Sequence, residues 1–199
     1  LPLWTDELSH GQPLLASPFA AAGYLPNAVF AIAPGASGRL LTLLTAAHLA
    51  WGALGTFLLA HRRGSTRAAA LGASVIWASS GAVLSGTYMT LLSCSAAWLP
   101  WFLLAVDRVL VAPSGRAALR QAPALLAATV LLVTAGDPFV AASACLGAAI
   151  TARPAGDPAG TGRASRWRRV PVALLGAGLG LAAVSPLLAA MVAFVRETG

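Results

Sequence analysis

Long apolar runs, cut by short basic gaps, organise this chain. From Ala68 to Val106, 39 consecutive residues carry no charged side chain, and similar apolar stretches cover 40–60, 121–152 and 170–195. A helix rises 1.5 Å per residue, so about 20 residues match the roughly 30 Å hydrocarbon core of a bilayer. The pattern predicts an all-α fold, a polytopic transmembrane helical bundle of about six membrane helices. The expected spans are 40–60, 68–86, 95–111, 121–136, 138–152 and 170–195. Pro100 is expected to break the third and Ser185–Pro186 the last. Between Arg120 and Arg153 a single charge, Asp137, sits in Gly136–Asp137–Pro138, a sequence that ends helical hydrogen bonding. Asp137 is therefore placed at the turn of a hairpin. Each half is short for a crossing, so the two helices either borrow flanking residues or form a shallow hairpin. No internal repeat appears, which weighs against transporter folds made of two matching halves.

Residues 1–36 hold Pro2, Pro13, Pro18, Pro26 and Pro34 and have no apolar run long enough to span. They read as an outer interfacial loop with short helical or irregular pieces, preceding a transmembrane domain over 37–199. Trp4, Phe19, Tyr24 and Phe30 are expected at headgroup depth.

Charge gives the bundle a direction. All 13 basic residues are Arg. If the gaps alternate between two sides, one side holds Arg62, Arg63, Arg67, Arg108, Arg116, Arg120, Arg153, Arg163, Arg166, Arg168 and Arg169, and the other only Arg39 and Arg196. The positive-inside rule makes the first side cytoplasmic, with loops 61–67, 111–120 and 153–169, and leaves 1–36 and 196–199 outside. The composition agrees: 58% of residues are hydrophobic and 10% charged, whereas soluble domains are about 25% charged. The net charge of +7 comes from this topology. No basic stripe interleaved with aromatics is present, so nucleic acid is not an expected partner and membrane lipids are. Cys94 and Cys145 lie inside apolar stretches, match no metal or redox spacing, and read as inert thiols. The abrupt beginning and end suggest a piece of a longer protein.

The acids sort the other way. Asp6, Glu7, Asp137 and Glu197 fall outside and Asp107 and Asp157 inside, so the outer face is acidic. Asp6, Glu7 and Asp137 are the candidate catalytic residues, as general base or as ligands of a divalent metal ion, the candidate cofactor. An Asp before Pro at a turn is also ordinary loop chemistry, and surface loops collect acids freely. His10, His48 and Arg196 are the candidate substrate-binding residues. His48, mid-span, either holds a lipid phosphate or senses a proton, or else bonds a neighbouring helix. Arg196 either grips an anionic phosphate or pairs with a nearby acid such as Glu197. No P-loop, GxSxG or HExxH motif occurs.

Several segments together resemble the bacterial YfhO-type membrane proteins, a branch of the GT-C superfamily of lipid-dependent glycosyltransferases. They are the opening LPLWTDELSHGQPLLASPFAAAGYLPN, then TAAHLAWGALGTFLLAHRRGSTRAAALGASVIWASSG, AAWLPWFLLAVDRVL, TAGDPF and the tail SPLLAAMVAFVRE. Order and spacing carry the likeness more than any one motif. Asp137 stands where that family usually has His, and Thr5–Asp6 where it usually has Asn-Pro. The resemblance implies transfer of a sugar from a polyprenyl-phosphate donor to a cell-envelope acceptor at the outer membrane face. It also implies a catalytic acid upstream of Leu1, on a segment following an additional N-terminal helix, so the chain on its own is expected to be inactive. The alternative is a non-enzymatic transporter or scaffold for lipid-linked envelope precursors.

Overall fold

A computed structural model of the protein describes residues 4–5, 12–13, 21, 23–32, 37–87, 90–151 and 170–198. The described chain is helical apart from two two-residue strands, β1 (Trp4–Thr5) and β2 (Gln12–Pro13), which pair antiparallel. A 3-10 turn over Leu25–Asn27 leads into α1 (Ala28–Ile32). These short pieces occupy the Pro-rich segment.

The long helices begin with α2 (Ser37–Arg62), followed by α3 (Arg67–Ser79) and α4 (Gly81–Gly86). Thr66 caps α3 and Ser80 caps α4, each side-chain oxygen accepting from a first-turn backbone N–H. The stretch expected as one helix over 68–86 is therefore two, because Ser80 takes extended backbone geometry to make its cap. α5 (Thr90–Leu110) begins before the expected boundary and runs through Pro100 without ending. α6 (Gly115–Thr134) starts at the Ser114 cap and takes Arg116 and Arg120 into its first turns. It thus borrows the flanking residues that a full-length helix needed. α7 (Pro138–Thr151), α8 (Val170–Ala183) and α9 (Ser185–Thr198) complete the order. The α8–α9 break falls at Val184, beside the expected Ser185–Pro186.

Side-chain neighbours fix the helix directions. Trp101 on α5 bonds the Trp51 carbonyl on α2, and Arg62 of α2 meets Asp107 of α5, so the two helices run parallel. Asp137 bonds Ser95 and Gly147 faces Leu103, which sets α7 parallel to α5 as well. Gly176 meets Leu125 and Gly180 meets Thr129, so α8 runs parallel to α6. With short turns joining α2 to α3 and α5 to α6, successive long elements reverse direction. The turn after Arg62 and the turn before Gly115 then share one end, rich in Arg. The turn at 135–137 lies at the opposite end.

α5 is central, packed on α2, α6 and α7. Phe102, Val106, Val109, Ala118, Leu125 and Leu132 form the core. Outside it the surface is apolar. Ile76 is 71% exposed, Phe139 82% and Leu174 67%, and Leu43, Leu71, Val75, Leu146 and Leu179 are also exposed. A water-soluble helix turns its apolar stripe to the core, whereas one that is apolar all round belongs in a core or in lipid. α2, over Gly38–Arg62, and α6 are each long and apolar enough to cross a membrane, while α7 and α8 are shorter apolar helices. Most of α2 faces outward rather than into the core.

Candidate functional site

Among the described residues, Ser93, Ser95 and Thr134 are buried toward the end opposite the Arg cluster and His48 lies between, whereas Asp107 is buried at the cluster itself. Ala21 and Tyr24, from the N-terminal segment, pack against Cys94, Trp98, Leu131 and Ala135. Tyr24 is 2% exposed. An aromatic expected at headgroup depth is instead enclosed by protein, because its hydroxyl finds partners on two helices.

Those partners form a chain with defined proton positions. Trp98 Nε1–H donates to Tyr24 Oη at 2.7 Å. Tyr24 Oη and His48 Nε2 share a hydrogen bond. On its other side, His48 Nδ1 lies 2.7 Å from the Leu44 carbonyl. A carbonyl only accepts, so Nδ1 carries the proton and neutral Nε2 accepts from the phenol. The chain runs Trp98 to Tyr24 to His48 to Leu44, joining α5, the N-terminal segment and α2. Burial pushes the Tyr24 phenol far above its ordinary value, with the Trp98 bond acting in the opposite direction. Beneath the network, Trp51 stacks on Trp101 with centroids 4.2 Å apart and meets Trp98 edge-on at 5.7 Å.

His48, expected either to bind substrate or to bond a neighbour, has both ring nitrogens bonded within the protein. Asp137 lies at the turn between α6 and α7. Gly136, at φ +98°, reverses the chain, a geometry that glycine adopts without strain. Asp137 Oδ1 then accepts from the Phe139 and Val140 backbone N–H groups at 2.8 and 3.0 Å, capping α7, with Pro138 as its first residue. Its own N–H donates to Ser95 Oγ at 3.2 Å. Arg196 is exposed on α9. Asp6, Glu7 and His10 lie outside the described residues, although Ala21 and Tyr24, further along their segment, sit against Ala135 next to the Asp137 turn. Among the described residues no three His, Cys, Asp or Glu side chains are grouped to hold a metal ion.

Two polar assemblies were not read from the sequence. Tyr24 and Trp98 each read as an interfacial aromatic, with no local signal that they would bond to each other. Asp107, sorted only by side, binds both Arg62 and Arg63. Comparison with protein-family models, with curated proteins and with solved structures finds no match.

Proposed function

We propose that this chain is integral to the membrane and crosses the bilayer six times. Its Arg-rich end lies in the cytoplasm, and the end bearing Asp137 and Tyr24 lies outside. The observation that carries this reading is the exposed apolar girdle on α2, α3, α7 and α8, which water would leave uncovered. The eleven-to-two partition of arginines supplies the orientation. A Cys placed at Ser114 should resist an impermeant thiol reagent in intact cells and one at Gly23 should react, once Cys94 and Cys145 are replaced. The reverse pattern would overturn the orientation.

On this scaffold the resemblance to the GT-C branch supports transfer of a sugar from a polyprenyl-phosphate donor to a cell-envelope acceptor, at the outer face. Asp6, Glu7 and Asp137 are the candidate catalytic acids on that side, and His10 and Arg196 are the candidates to meet an anionic donor. A divalent metal would supply charge stabilisation for the leaving phosphate. Membranes containing the protein as the cell makes it should move labelled sugar from such a donor to envelope material, and membranes lacking it should not. Equal transfer by both would leave the second reading, a scaffold for lipid-linked precursors. One observation favours that reading: Asp137 and His48 already have structural partners.

A further inference from the structure

At the Arg-rich end one carboxylate holds two guanidinium groups. Asp107 Oδ2 accepts from Arg62 Nε at 2.9 Å, and Oδ1 accepts from Arg63 Nη2 at 2.8 Å. The carboxylate is nearly buried, and the Arg62 side chain is 38% exposed. Two positive charges on one negative leave the triad one positive charge in excess. Arg67 opens α3 just beyond and Arg108 follows Asp107, so the sequence beside the triad adds further positive charge.

The remaining donors have a direction. Arg62 meets Asp107 through Nε, and its two Nη groups have no protein partner among the described residues. A guanidinium presents its N–H groups as forks, and a fork matches two oxygens of a phosphate. Asp107 holds the planar group by its inner edge, so less side-chain freedom is lost when a second anion binds the outer one. Arg62 is the last residue of α2, just past the apolar run that ends at Ala60. Further into the apolar band, Leu54 on α2 and Leu71 on α3 are exposed, where an acyl chain would lie.

We infer that Arg62, held by Asp107 beside Arg63, binds the phosphodiester of an anionic phospholipid headgroup in the cytoplasmic leaflet. This site rests on the membrane reading above. It is independent of the proposed sugar transfer, which belongs to the other end.

The test uses the whole protein purified in neutral detergent, with thermal unfolding followed after adding phosphatidylglycerol or phosphatidylcholine. Phosphatidylglycerol should raise the midpoint more than phosphatidylcholine does. Arg62→Gln should remove about half or more of that difference, and Arg62→Lys, which keeps charge without the fork, should also reduce it. Arg39→Gln, an exposed arginine near the start of α2, should leave it unchanged. An equal response of Arg62→Lys and wild type, or an equal loss in Arg39→Gln, would overturn the site. Reproduction of the whole effect by inorganic phosphate would overturn the lipid as its source. Protein that stays in solution without detergent would instead overturn the membrane reading.

Discussion

Tyr24 and His48 face each other across the junction of the N-terminal segment and α2, 24 residues apart and buried. The phenol donates to the imidazole and receives from Trp98, so one hydroxyl holds three elements together. Removing it orphans a donor and an acceptor at once. Tyr24→Phe should therefore lower stability by about 1–2 kcal/mol in detergent, since unmade buried hydrogen bonds cost roughly this much and membrane cases fall at the low end. Thermal unfolding checks it, and an unchanged midpoint would mean the network contributes nothing to docking the segment.

The same phenol predicts an alkaline limit. Its folded-state pKa is raised by burial, so the folded protein holds this proton more tightly than the unfolded chain does. The resulting stability is fully present below the ordinary phenol value near 10 and is lost as pH rises beyond it. Unfolding midpoints measured across that range should fall more steeply for wild type than for Tyr24→Phe. Parallel curves would show that Tyr24 is not the group responsible.

Close helix approaches give a sharper contrast. A Cβ at Gly52 would lie 2.0 Å from the Trp77 ring, whereas one at Gly72 meets nothing within 4 Å. Gly52→Ala should then cost about 1–3 kcal/mol by forcing α2 and α3 apart. Gly72→Ala should be neutral or stabilise by up to about 1 kcal/mol, since alanine is the better helix former. Equal effects of the two would contradict the α2–α3 packing.

How much of this was legible beforehand depends on the range of each interaction. The helices around 40–60, 121–136 and 138–152 were readable because long apolar runs and the Gly136–Pro138 break are local signals. Pro100 misled: α5 continues through it, as helices beside other helices tolerate a missing N–H. The divided 68–86 stretch turned on one Ser80 cap, which a serine-rich sequence does not single out. Nothing local indicates that Asp107 would meet an arginine 45 positions earlier, or that Tyr24 would leave the surface. Charge sorting could place those groups at an end but could not pair them. Of the candidate site, the position of Asp137 at a turn was readable. The bonds of its carboxylate depend on the backbone geometry of the turn.

Those bonds decide how Asp137 must be tested. Oδ1 caps α7 through Phe139 and Val140, so Asp137→Ala removes a cap along with a charge. Losing a cap typically costs about 0.5–2 kcal/mol, and a fall in sugar transfer would then be ambiguous between a damaged helix and a missing acid. Asparagine and serine cap about as well as aspartate but cannot serve as a base or carry negative charge. Asp137→Asn should keep the free energy of unfolding within about 0.5 kcal/mol of wild type. If the carboxylate takes part in transfer, this variant should still lose at least about tenfold in rate, in the range by which positioned acids and bases act. Asp137→Ala should lose both stability and transfer. Full transfer by Asp137→Asn would confine Asp137 to starting α7 and move the search for the catalytic acid to Asp6 and Glu7.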